Sequence, residues 1–291
     1  MILLYCKSQC LRTIYLSKNS KGGSSTMSLF KKRKSDKKHH GVLILFLFIL
    51  GLTFYPNYPT VISLQGTVFL CVILSVILVL FIWLVRRVTN HEKVFATRLS
   101  LDRKERGLAV VLVLYFLFLY LMNGNIQSGL NVFRSPMKIL LSCVFIAIGA
   151  GCFEEYFVRG YLFNLVQRML NRYQVKQHRL TIIAVVTSFL FCLLHLANLA
   201  DEPAEAVAQQ VVYTFAIGMI FVTLRIVSNQ IWPLAIAHFL FDLQDNIVQP
   251  LVVGSWTEML VSFLPSVILS LFLLFYLDRS VEEKQATVLQ P

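Results

Sequence analysis

With 57% of its 291 residues hydrophobic and only 14% charged, the chain is too apolar for an ordinary soluble domain, where about 25% of residues are charged. The formal net charge of +12 comes from basic residues in an N-terminal tail and between apolar stretches. That distribution excludes a basic nucleic-acid-binding face and reads as membrane topology.

Residues 1–40 are polar and carry Lys31, Lys32, Arg33, Lys34, Lys37 and Lys38, a juxtamembrane tail expected in the cytoplasm. Met27 follows Gly22, Gly23, Ser24 and Ser25, so Met1 and Met27 are both candidate starts. Some forty polar residues precede the first apolar run, and no cleavable signal peptide is read. Eight candidate spans follow at about 41–56, 61–85, 107–123, 137–167, 180–200, 207–228, 231–249 and 257–278; crossing a bilayer takes about 20 residues. The first is short and ends at Pro56 and Pro59, so a tilted or re-entrant piece is its alternative. An even count puts both termini on one side. The basic connectors (Arg86, Arg87, Lys93, Arg98, Arg103, Lys104, Arg106; then Arg168, Arg172, Lys176, Arg179) share that side, and Asp201, Glu202 and Glu205 fall opposite, as the positive-inside rule requires. The expected architecture is an all-α, polytopic membrane helix bundle of about eight transmembrane helices. The bundle occupies residues 41–280, between the tail at 1–40 and a cytoplasmic tail at 281–291, with lipid around it; for a bacterial chain the membrane is expected to be the plasma membrane. Cys6, Cys10, Cys71, Cys143, Cys152 and Cys192 show no CxxC spacing, so neither a disulfide framework nor a thiolate metal site is indicated.

Ionisable groups within apolar spans are costly and usually mark function. Span four contains Glu154, Glu155 and Arg159. Glu155 and Arg159, at i and i+4, share a helical face and form an expected ion pair, while Glu154 points about 100° aside and is free for other work. Gly149, Ala150 and Gly151 just before them let another helix approach closely. Span five carries His195, and span seven carries His238 and Asp242 one turn apart. A carboxylate beside imidazoles in a low-dielectric cavity can activate a water for attack on a peptide carbonyl, directly or through a bound metal. Singly, each residue has a plainer reading as a structural hydrogen-bonder or packing ion pair. A proton or ion relay in a transporter is the main competing function. The zincin signature HExxH is absent.

Glu154 to Arg159 resembles the EExxxR motif of the CPBP (CAAX protease and bacteriocin-processing) family, Phe191 to His195 its FxxxH motif, and His238 to Asp242 its third motif, HxxxN or HxxxD. The three stand in the family's order, and the resemblance covers roughly residues 137–250. It implies an intramembrane endopeptidase acting on a membrane-associated protein or peptide, with Glu154 as general base and His195 sharing the water. His238 and Asp242 would stabilise the oxyanion or help ligate a divalent cation such as zinc, for which Glu154, His195, His238 and Asp242 are the candidate ligands. Glu155 and Arg159 would hold span four in register. Non-catalytic scaffolds and bacteriocin self-immunity proteins also occur among relatives. The Ras-type CAAX endopeptidases carry Asn where this chain has Asp242. An ionised carboxylate there would repel an oxyanion, so Asp242 must be protonated, pair with a histidine or bind a metal. The absence of a histidine pair at zinc spacing on one helix favours the metal-free form. At 1.5 Å per residue, Glu154 lies about 27 Å from Pro136, nearer the cytoplasm than His195, which a tilted or overlong fourth helix would reconcile.

Overall fold

The computed structural model describes residues 38–56, 61–89, 93–95 and 98–289; the basic run Lys31 to Lys34 with Lys37, Cys6 and Cys10 lie outside the described residues. The chain is all-α: α1 (Lys38–Thr53), α2 (Leu64–Val88), α3 (Arg103–Met122), α4 (Asn125–Arg134), α5 (Met137–Gly149), α6 (Phe163–Arg172), α7 (Arg179–Leu194), α8 (Ala204–Ser228), α9 (Trp232–Asp242) and α10 (Trp256–Leu289). Two wide π-helical segments, Ala150–Glu154 and Tyr156–Leu162, join α5 to α6 without a break. A tight 3₁₀ segment, His195–Ala200, extends α7.

Among the described residues, six helical stretches are long and apolar enough to cross a membrane, and α1 is a shorter apolar helix. On α2, Val68, Phe69, Val72, Val76, Val79, Leu80 and Trp83 are all exposed, a continuous apolar surface that water would penalise and acyl chains would solvate.

Three differences from the sequence reading have physical causes. The fourth span is a helix of 36 residues, Met137–Arg172, overlong as its depth requires, with Glu154 halfway along. A helix not anticipated, α4, follows the tight turn at Gly124, whose φ of 70° suits a residue without a side chain. The seventh span, expected over 231–249, keeps helical form only for the 11 residues of α9, about 16 Å. Leu243, Ile247, Val248 and Leu251 carry apolar residues past it, but Gln244, Asp245 and Asn246 interrupt them just after Asp242, a polar sign of the helix end that the span reading passed over.

The chain beyond α9 nevertheless returns along the length of α8. Glu202 accepts from the Leu251 amide at 2.8 Å, and Trp256 Nε1 donates to Glu205 at 3.1 Å, so the loop arrives beside the start of α8 whereas α9 departs from its end. Irregular backbone inside a bundle needs internal partners. Asn125 and Gln244 donate to the Phe241 carbonyl. Ser128 donates to the Asp245 carboxylate and accepts from its amide, and Asn131 donates to the other carboxylate oxygen at 3.0 Å. Gln209 pairs with both the amide and the carbonyl of Gly254. The bonds from the Ser128 hydroxyl, which contributes most, and from Asn131 hold the Asp245 carboxyl below the usual range. The acidic connector, read only as topology, thus also pins this loop.

Two apolar clusters flank the break. One gathers α3, α6, α7, α8 and α10 around Phe116, Phe163, Phe221 and Leu273; the other joins α1, α2 and the π segments around Phe48, Phe81, Phe153 and Phe157. In the first, buried Asp278 of α10 caps α7: its oxygens accept from the amides of Leu180 (2.7 Å) and Thr181 (2.9 Å) and from the Thr181 hydroxyl (2.7 Å). A carboxylate at a helix N-terminus also complements the macrodipole. Asp278→Ala is expected to lower stability by about 1–3 kcal/mol, seen as a lower Tm in detergent; Asp278→Asn should recover part of the loss, because its amide oxygen still accepts.

Candidate active site

The middle of the long fourth helix is wound as π-helix around Glu155. Such widened turns are rare and concentrate at functional sites. Close packing accompanies this one. A Cβ on Gly151 would stand 2.5 Å from the Ala235 carbonyl oxygen and 2.8 Å from the Phe239 amide nitrogen of α9, so only glycine lets the two backbones meet here. That approach delivers His238 of α9 to the glutamates.

Glu155 is fully buried and uses one oxygen, Oε1, twice: it accepts from Arg159 Nη1 at 2.9 Å and from His238 Nδ1 at 2.9 Å. The second bond fixes the orientation of the imidazole and turns Nε2 the other way. There Nε2 lies 3.3 Å from Asp242 Oδ2 and 3.8 Å from Glu154 Oε2. Adjacent glutamates therefore face opposite nitrogens of one ring. The sequence reading set Glu154 aside from Glu155 on α-helical winding; in the wide turns seen here both carboxylates approach the same imidazole, from opposite nitrogens.

Arg159 completes the buried layer. Its guanidinium lies over the Phe191 ring at 4.5 Å and the Phe221 ring at 5.6 Å, and Nη2 reaches the Gly218 carbonyl at 3.4 Å. Cation–π contact in a desolvated setting is worth about 2 kcal/mol and lowers the cost of burying the charge. Phe191 also meets His238 edge-on at 6.1 Å and His195 at 5.1 Å. The first residue of the FxxxH stretch is thus a platform for three charged or polar neighbours, a role that the sequence reading missed.

His195 begins the 3₁₀ segment, and its Nδ1 donates to the Phe191 carbonyl at 3.2 Å. It stands within Coulombic reach of Asp242 and His238. Asn198, one turn on, donates to Gln210 of α8 at 2.8 Å and ties the segment down. Asp242 is the last residue of α9, where a negative charge opposes the helix dipole; His238 Nε2 offsets that penalty. Glu154 and Asp242 retain 18% and 27% side-chain exposure, against 7% or less for Glu155, Arg159 and His238, so these two carboxylates form the more open side of the cluster.

Three carboxylates surround one guanidinium and one imidazole. Even with the imidazole protonated, the cluster carries an excess negative charge, which suits it to accept a proton. Among the described residues no group of three or more His, Cys, Asp or Glu side chains converges as metal ligands would. Two tyrosines that the sequence reading did not single out border the cluster: Tyr213 of α8, bonded to Gln210, and Tyr55 beyond α1, both within Coulombic reach of Glu154 and Asp242.

Residues 136–244 match the family model described as type II CAAX prenyl endopeptidase Rce1-like. The match includes Glu154, Glu155, Arg159, Phe191, His195, His238 and Asp242, and ends just past the break after α9. No curated protein and no solved structure matches the chain.

Proposed function

Because residues 136–244 form a CPBP-family, CAAX-protease-type domain, we propose that the chain is an intramembrane endopeptidase that hydrolyses a membrane-associated protein or peptide with a water activated by Glu154. The observation that carries this reading is His238, held at Nδ1 by buried Glu155 while Nε2 faces the two more open carboxylates, Glu154 and Asp242. Glu154 takes a proton from water, and the resulting hydroxide adds to the scissile carbonyl. The tetrahedral oxyanion is stabilised by the Nε2–H of protonated His238. As the C–N bond breaks, Glu154 returns its proton to the leaving amine. His195, tethered beside the cluster, orients the water. The basic tail and connectors support a cytoplasmic placement of both termini, by the positive-inside rule.

Asp242 fits this scheme as the partner of His238: the 3.3 Å approach supports pairing over the two other options open to it, protonation and metal binding. Asp242→Asn is then expected to keep activity within about tenfold, with no sensitivity to chelators. If activity were abolished both by the substitution and by a chelator, a divalent cation held by Glu154, His238 and Asp242 would replace the metal-free scheme.

The hydrolytic reading is tested with purified protein in liposomes, given farnesylated CaaX peptides and an unmodified membrane-anchored reporter peptide. Cleavage of either supports the proposal. Proton flux across the same liposomes without cleavage of any peptide would favour the transporter reading.

A further inference from the structure

We propose that Tyr55 is a positioning residue of this site, its phenolic hydroxyl steering the Glu154 carboxylate from a segment outside the family match. The inference rests on the hydrolytic reading above. Tyr55 follows α1, some eighty residues before the matched segment begins. Its ring lies against Gly149, where a Cβ would stand 2.6 to 2.7 Å from three of its atoms, the hydroxyl oxygen among them. Any larger residue at 149 would expel it. Gly149 stands five residues before Glu154, close to one turn of the π-wound stretch that follows, so the ring enters on the side from which Glu154 projects.

The hydroxyl oxygen is enclosed and has no hydrogen-bond partner among the described residues. The ionisable groups within its Coulombic reach are Glu154, Asp242 and Cys152. Buried hydroxyls are nearly always bonded, and an orphan calls for a role. Tyr213, by contrast, already engages Gln210. A phenol at neutral pH is a donor, and ionised carboxylates only accept. Bonds at active sites are often long without substrate and close when it binds. When Tyr55 donates to one oxygen of Glu154, the other oxygen is left facing the water, which fixes the lone pair that takes the proton.

Tyr55→Phe tests this, because it keeps the ring against Gly149 and removes only the hydroxyl. On a farnesylated CaaX peptide that the wild-type protein cleaves, kcat is expected to fall about tenfold with KM within about twofold and Tm unchanged. A purely structural role would lower Tm and leave kcat per folded molecule alone. A second readout needs no turnover: with ¹³Cζ-labelled tyrosine, the Tyr55 resonance, identified by its loss in Tyr55→Phe, should move when Glu154→Gln is introduced. Wild-type kcat in Tyr55→Phe, or an unmoved Tyr55 resonance, overturns the role of Tyr55 and leaves the hydrolytic reading standing. Failure of the wild-type protein to cleave any peptide overturns both.

Discussion

Glu154→Gln is expected to lower kcat by between about 10²- and 10⁴-fold while leaving Tm equal to or above that of the wild-type protein. The substitution preserves shape and removes the group proposed to take the proton from water. Stability should not suffer, because the ionic partner of Glu154 among the described residues, His238, stands at 3.8 Å, beyond hydrogen-bond length. Glu154 also contributes one of three negative charges around a single imidazole and a single guanidinium, so neutralising it relieves repulsion. Cleavage of a membrane-anchored peptide and thermal unfolding in detergent check the two halves separately. Activity retained within tenfold would move the base to another group, with Asp242, the most exposed carboxylate of the cluster, the first candidate.

The sequence showed that Glu154, Glu155, His195, His238 and Asp242 lie in apolar helices, because an ionisable residue among aliphatic ones is a local signal. It did not show which of them touch. The two glutamates were given separate tasks on the assumption of α-helical winding, and the π turns that bring both to His238 depend on how tightly α9 packs on Gly151, a tertiary matter. Phe191 was legible as the first residue of the FxxxH motif, but its place under the Arg159 guanidinium is a contact between helices that the sequence does not carry. The break after Asp242 had a local sign in the polar run Gln244, Asp245 and Asn246, passed over because apolar residues resume at Ile247; what holds the broken segment is a set of hydrogen bonds from Asn125, Ser128 and Asn131 of α4, distant in sequence. Tyr55 and Asp278 gave no such sign. Their roles reside in contacts across the bundle with Gly149 and with the first amides of α7.

Glu155→Ala should produce the opposite separation from Glu154→Gln, with both stability and activity lost. Glu155 pairs with Arg159, whose side chain is 1% exposed, and removing one member of a buried pair leaves the other charge uncompensated, at about 3–5 kcal/mol. The same carboxylate oxygen orients His238, so the survivors that fold should hold the imidazole loosely, which alone costs about 10–100-fold where a histidine's second nitrogen must be fixed. A double substitution divides these effects. Replacing a buried ion pair with apolar residues of similar size is often neutral, so Glu155→Leu with Arg159→Met is expected to restore most of the Tm lost in Glu155→Ala. Activity should stay low, because Leu cannot accept from His238 Nδ1. Recovery of both would reduce Glu155 to a packing residue. Recovery of stability alone would make it the hinge between the fold of the fourth helix and the chemistry on its neighbour.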